Sequence, residues 1–239
     1  GQAAKPEVGR RREEEVTVAR SEEQNRLARE RARELILESA IELFAERGVS
    51  GASIAEITRR AGVAQGLVNY HFGGKEQLIA AVIDGWFDAL FGLPSVEGTA
   101  DERLAGLIDT VIMATGYALP LQRAVLAMQL QPSTHRLFAE AEERYGDRAS
   151  TAEESVRDMF RERGAADPEV EEIMLRSTLE GILVKFAVYG ETFPLEEARR
   201  WMYRLYALPE PAGPLPLDAP PRAGTIRLRA IGAVREPLT

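Results

Sequence analysis

Residues 53–72 read SIAEITRRAGVAQGLVNYHF, and this stretch decides the fold. Ser53 with Glu56 three residues on is a capping box, the signature of a helix start. Ile54, Ile57 and Ala61 recur at helical spacing and give that helix a buried face, and Gly62 ends it. A second short helix follows from about Ala64 to Tyr70, anchored by Val63, Leu67 and Val68. It has little bulk and several polar tips: Gln65, Gly66, Asn69, Tyr70 and His71. A helix of this make-up suits a nucleic-acid groove and poorly suits a core that surrounds it.

Working outward, a bracing helix runs from about Arg29 to Arg47. Its Leu35, Ile36, Ala40, Leu43 and Phe44 share one face, and Gly48 stops it. On the other side Gly73-Gly74 breaks the chain. A long helix then starts near Lys75, with Leu78, Ile79, Val82, Ile83, Trp86, Phe87, Leu90 and Phe91 apolar. Gly92 to Gly98, with Pro94, reads as a loop. Thr99 with Glu102 is a second capping box, opening a helix to about Leu119. Further helices fit Leu121 to about Gln131, Ser133 to about Arg163, Asp167-Pro168 to about Tyr189, and Phe193-Pro194 to about Leu208. The expected fold is all-α. Its expected parts are a flexible arm (1–28), a three-helix reading module with its following helix (29–91), a larger helical domain (92–208) and a Pro-rich tail (209–239). In the arm, Arg10, Arg11 and Arg12 could reach phosphates, an idea weakened by Glu13, Glu14 and Glu15. Prolines at 209, 211, 214, 216, 220, 221 and 237 forbid a continuous helix in the tail, where Thr225 to Ile231 alternates weakly as an extended segment does.

Composition narrows the chemistry. The chain has no cysteine, which excludes disulfides, thiolate nucleophiles and cysteine metal sites. No apolar run is long enough for a transmembrane helix, and the charged N-terminus lacks the apolar stretch of a secretory signal. A cytoplasmic protein with no membrane partner is therefore expected. The net charge of -8 argues against a nucleic-acid partner. The local count reverses the sign: from Arg47 to Lys75 the charges are Arg47, Arg59, Arg60 and Lys75 against Glu56 alone. DNA responds mainly to charge within about 8 Å at physiological salt, so a basic module on an acidic chain is compatible with DNA.

A helix-turn-helix needs a bracing helix, a short turn and a second helix whose outer face is free. The segment supplies all three. Amide groups at Gln65 and Asn69 suit base edges. Tyr70 and His71 can donate to phosphate, Gly66 admits close backbone approach, and Lys75 is placed for a phosphate. The helix starts at Ser53 and Ala64 add backbone amides for phosphate oxygens. Tyr70 and Phe72 have a second reading, as core aromatics.

The helix LILESAIELFAERG (35–48) and the run SIAEITRRAGVAQGLVNYHFGGKEQL (53–78) resemble the tetracycline-repressor (TetR) family of bacterial transcriptional regulators. The resemblance covers about sixty residues after the arm. It implies DNA contacts from Ser53, Gly66, Tyr70, His71 and Lys75. Three positions depart: Ala64 stands where Ser or Thr is usual, Gln65 where Lys or Arg is, and Asn69 where Tyr is. The resemblance further implies a homodimer built on the last two helices, two recognition helices in successive major grooves of a near-palindromic operator, and release of DNA by a small effector. The implied function is a ligand-responsive repressor. The alternative is a DNA-binding regulator with no effector, architectural or activating.

Interface candidates are Leu175, Leu179, Ile182, Phe186, Trp201 and Leu205, all apolar at helical spacing; filling the subunit's own core is an equal reading. Effector-pocket candidates are Trp86, Phe87, Phe91, Met113, Tyr117, Met128 and Phe138, with Thr110, Gln129 and His135 as orienting polar groups. Their apolar stock suggests a hydrophobic or aromatic effector. His135 also reads as a first-turn surface residue. No nucleophile elbow, P-loop, HExxH or dinucleotide fingerprint occurs, so neither an enzyme nor a cofactor or metal is expected.

Overall fold

The computed structural model describes the backbone of residues 6–217 and the side chains of residues 22–217 other than that of 191. The expectations for Arg10 to Arg12 and for Thr225 to Ile231 lie outside these described side chains and residues. Among the described residues every element is helical: α1 (Pro6–Arg47), α2 (Ile54–Ala61), α3 (Gly66–Phe72), α4 (Lys75–Phe91), α5 (Ala100–Tyr117), α6 (Leu119–Gln129), α7 (His135–Glu162), α8 (Pro168–Tyr189) and α9 (Leu195–Leu205). Single 3-10 turns at Pro132–Thr134 and Gly190–Thr192 precede α7 and α9.

Local chemistry sets most boundaries. Both capping boxes form, Ser53 with Glu56 and Thr99 with Glu102, each side chain receiving the other residue's backbone N–H. Asp167 accepts from the Val170 amide, and Pro168 takes the first helical position, where its missing N–H would have no partner. Gly62 stands at φ 68° and ends α2 in the left-handed region, where a side chain is strained. The first helix departs from expectation. It starts at Pro6, not near Arg29, and is 42 residues long. Its Arg- and Glu-rich first half is made of good helix formers, and Arg26 bridges Glu23 at 2.5 Å and Glu30 at 2.7 Å along one face. Residues 22–31 are all exposed, so this stretch of α1 stands clear of any core.

Two cores form, and they do not divide at the 92–98 loop. One gathers Ile36, Ala40 and Phe44 of α1, Ile57 of α2, Val68 of α3, and Leu78, Val82 and Ile83 of α4 with Val125 and Met128 of α6 and Leu137 and Phe138 of α7. The other joins Leu104, Ile108 and Ile112 of α5 with Met159 and Phe160 at the end of α7, Leu175, Leu179 and Phe186 of α8, and Met202 of α9. The reading module and the first half of α7 therefore share one packed unit. Ion pairs fix α4 against α7 in parallel register: Glu76 with Arg136, Asp84 with Arg144 at 2.5 Å, and Asp88 with Arg148 at 2.8 Å, each pair 60 residues apart. No single helix among the described residues is long and apolar enough to cross a membrane. The α5–α6 pair approaches that composition but bends by 91°.

The start of the tail drapes over the second core. Tyr117 donates to the Pro216 carbonyl at 2.7 Å, the Leu215 amide to Glu196 at 3.1 Å, and buried Arg199 to the Gly213 carbonyl at 2.8 Å. A Cβ on Gly116 would come 2.6 Å from a terminal methyl of Leu217, so a larger residue there makes that side chain shift. Arg199 also holds Asp109 of α5 through two hydrogen bonds, at 2.6 and 2.7 Å, which satisfies a guanidinium that solvent hardly reaches.

Candidate nucleic-acid interface

The module's geometry follows from how little of α3 is buried. Of its seven residues only Val68 is fully enclosed. Leu67, His71 and Phe72 are half-buried. Ala64, Gln65, Gly66 and Asn69 are exposed, and Tyr70 is 64% exposed. Tyr70 is thus a surface residue, not a core aromatic, while Phe72 packs against the first core. A Cβ built on Gly66 would meet nothing within 4 Å. The chain's own packing does not require glycine there.

The turn works as a lever. The Val63 amide bonds back to the Thr58 carbonyl at 3.0 Å, which closes α2 onto the start of α3. At the far end Gly73, at φ 88°, and Gly74, at φ 142°, turn the chain from α3 into α4. The Lys75 ammonium donates to the Val49 carbonyl at 2.8 Å and is half-buried. It therefore bolts the start of α4 to the loop before α2, with two of its three N–H groups left over.

His71 bridges the outer surface and the core. Its ring meets Tyr70 edge-on at 4.8 Å. Its Nε2 is buried without a hydrogen-bond partner among the described residues. Burial first, and then the cations Arg33 and Arg29, hold the imidazole below its ordinary value, so it is neutral at pH 7. The Arg33 guanidinium lies over the Phe72 ring, 5.1 Å from its centre.

The charge balance of the module differs from a count along the sequence. Arg60 pairs with Glu46 at 2.8 Å and Glu42 at 3.5 Å, and Arg47 pairs with Glu56 at 2.8 Å. The glutamates that neutralise Arg60 come from α1, just before the counted segment. Of the counted cations Arg59 alone has no ion pair or carbonyl partner among the described residues. It lines a shallow depression of about 240 Å³ with Leu43, Arg47, Glu56 and Arg60.

The other candidate residues are distributed unevenly. Trp86, Phe87, Phe91, Met128 and Phe138 come together in the first core, where Phe87, Phe91 and Tyr145 stack, and Trp86 donates to Gln122 at 3.2 Å. Met113 and Tyr117 lie apart on α5, half-buried and exposed respectively. Thr110 is half-buried on the same helix, Gln129 ends α6 exposed, and His135 is an exposed first-turn residue whose ring lies 3.2 Å from the Gln129 carbonyl. Leu175, Leu179, Ile182 and Phe186 are buried in the second core, so they cannot form a surface between copies, whereas Trp201 and Leu205 are 48% and 51% exposed. The apolar spacing of α8 is two-sided, and the outer stripe is Val170, Ile173, Met174, Val184 and Val188.

A helix-turn-helix reading head packed onto a larger helical body defines the class: a DNA-binding module that shares a core with the helices behind it. Residues 36–82 match the family described as bacterial regulatory proteins, tetR family, a match confined to the helix-turn-helix segment and its flanking helices. The HTH-type transcriptional repressor Rv3405c of Mycobacterium tuberculosis is 45% identical over 73 residues, 30% of this chain and 39% of that protein. The HTH-type transcriptional repressor KstR2 of Mycobacterium tuberculosis is 37% identical over 76 residues, 30% of this chain and 38% of the relative. The chain thus spans well under half the length of these relatives. The solved structure of KstR2, described as a ketosteroid transcriptional regulator, superposes with a TM-score of 0.58 at 21% identity, over 73% of this chain and 93% of that one. That of NalD, the secondary repressor of the MexAB-OprM multidrug efflux pump in Pseudomonas aeruginosa, gives 0.53 at 23% identity, over 73% and 95%. At these identities the structures establish a shared fold.

Proposed function

We propose that the protein is a dimeric transcriptional repressor that binds a near-palindromic operator through α3 and is released by a small hydrophobic or aromatic effector. The observation that carries the DNA reading is the exposed face of α3. Gln65, Asn69 and Tyr70 project from a helix held by one buried residue, and Gly66 is a glycine the fold itself does not need. Gln65 and Asn69 read base edges. Tyr70, the amides at the start of α3 beside Ala64, and the two free N–H groups of Lys75 take phosphates, as does the Ser53 hydroxyl once its proton turns from the Glu56 carboxylate, with His71 supporting Tyr70 from beneath.

The outward stripe of α8 and the exposed Trp201 and Leu205 of α9 support pairing of two copies. Gly181 is exposed on the same helix, and a side chain added there would meet nothing within 4 Å in one copy, so its bareness serves close approach of a second. Pairing sets two α3 helices about 34–36 Å apart, or somewhat more, to match successive major grooves. An effector releases DNA only by binding the spacing that misfits better than the one that fits. Names of the relatives support repression as the sign of regulation.

Sedimentation equilibrium of the full chain at micromolar concentration tests the dimer, and a monomer there contradicts it. A thermal-shift screen of apolar and aromatic compounds tests the effector, since a ligand of the folded state raises the melting temperature. A regulator without effector is the second reading, favoured by the packing of Phe87, Met128 and Phe138 inside the first core. A screen in which no compound shifts melting and weakens operator binding together selects that reading.

A further inference from the structure

The exposed stretch of α1 around residues 22–34 carries Arg26, Arg29, Arg31 and Arg33 against Glu22, Glu23, Glu30 and Glu34, an even balance along the sequence. The fold sorts this balance by face. Arg26 is taken by Glu23 and Glu30, and Arg31 by Glu34 at 3.1 Å. Arg29 and Arg33 have no ion-pair partner among the described residues, and both are exposed. They are four residues apart, so they lie one above the other on the same side of the helix. That side faces α3. Arg33 covers the Phe72 ring, and both cations act on the neighbouring His71. The surface that results is continuous: Tyr70 and His71 at the end of α3, Arg33 beside them, and Arg29 one turn further out.

We propose that Arg29 and Arg33 form a phosphate clamp that extends the DNA footprint beyond the bases read by α3. The proposal rests on the reading of α3 as the DNA-recognition helix. A helix seated in a major groove brings whatever flanks its ends against the phosphate rows that border the groove. Two guanidiniums without carboxylate partners, on a rigid helix beside that end, meet a phosphodiester at no loss of internal ion pairs. Arg33 is pre-positioned over the Phe72 ring, and its exposed forked donors have no carboxylate partner among the described residues. The clamp carries no sequence preference of its own. It adds affinity, and it fixes the angle at which α3 enters.

The test is equilibrium binding to a duplex that the wild-type chain enriches from a randomised pool, measured between about 50 and 200 mM salt, the range over which counterion release is well resolved. Loss of one phosphate contact lowers the slope of log affinity against log salt by roughly 0.9. Arg29→Gln and Arg33→Gln should each lower it by about that amount per half-site and the pair by about twice as much, with the enriched sequence unchanged. Arg33→Lys should keep most of the slope. Arg29→Gln removes no packed group, so it reports even if Arg33→Gln disturbs the seat of Phe72. The clamp is refuted if the double variant keeps the wild-type slope. It is equally refuted if Arg26→Gln with Arg31→Gln lowers the slope as much, because the effect is then one of overall charge. A wild-type chain that enriches no duplex overturns the DNA reading of α3 and takes the clamp with it, a different result from a wild type that binds and an arginine variant that binds as well.

Discussion

Helices α3 and α8 pose the same problem at two scales, and the fold solves it differently. The seven residues of α3 bury one side chain fully and leave the rest as a free face. The 22 residues of α8 are apolar on two sides, one turned into the second core and one turned out. Around α3 local chemistry suffices: the left-handed Gly62 ends α2 just before it, Gly73 and Gly74 end α3 itself, and composition sets the outer face. In α8 periodicity gives the helix but not the assignment of its stripes. Both stripes fit an apolar neighbour, and only the packed positions of α5, α7 and α9 decide which is interior.

Substitutions can break that contrast, and the largest effect should come from α3. Val68→Asp puts a charge at its single enclosed position and should destabilise the fold by about 3–5 kcal/mol, the range for an uncompensated buried charge. The melting temperature should fall and duplex binding should vanish together. Next comes the comparison within α8 and α9. Leu175→Ala, at an almost inaccessible position, should cost about 2–5 kcal/mol of stability in denaturant titration. Trp201→Ala should leave subunit stability within about 0.5 kcal/mol. The same change should weaken self-association by about 2 kcal/mol, near thirtyfold, as expected for an interface anchor. If Leu175→Ala and Trp201→Ala exchange these effects, the assignment of the two stripes is reversed.

The two capping boxes give a finer comparison. Ser53→Ala and Thr99→Ala should each lose about 1 kcal/mol of stability. Only Ser53→Ala should also weaken DNA binding beyond that loss, because only that hydroxyl belongs to the proposed DNA contacts. The smallest effect is in pH. His71 titrates below its ordinary value of 6.5 when folded, through burial and the nearby Arg33 and Arg29, so the unfolded chain takes up the proton first. Its contribution to stability is therefore complete above about 6.5 and falls as pH drops through that value. His71→Gln should flatten this part of the stability–pH curve, and an unchanged curve would show that the ring is not buried as described.

Much of the fold was legible in sequence because its helix ends are written locally. Ser53 with Glu56, Gly62, Gly73-Gly74, Thr99 with Glu102, and Asp167-Pro168 all mark ends that the structure reproduces. The length of α1 was not legible, since an Arg- and Glu-rich stretch reads as solvated whether it is helical or not. Nor was the electrostatics of the reading head. Counting charges from Arg47 to Lys75 left out Glu42 and Glu46, which pair with Arg60 from α1. The same count passed over Arg29 and Arg33, whose freedom depends on which glutamates their neighbours take. A signal existed in principle: with Arg26 bridging Glu23 and Glu30 and Arg31 taking Glu34, the i,i+3 and i,i+4 rule leaves those two arginines over. The pocket candidates were chosen as apolar residues, a property that interior packing and ligand binding share, and five of the seven proved to line the first core.

The central claim is that α3 reads base sequence in two copies at once. Selection of bound duplexes from a randomised pool, run in parallel with the wild-type chain and with Gln65→Ala and Asn69→Ala, tests it most directly. The account predicts that the wild type enriches a near-palindrome and that each variant still binds but changes the preferred bases at symmetric positions in both halves. Enrichment of an identical sequence by all three proteins, or of a lone half-site, would contradict it.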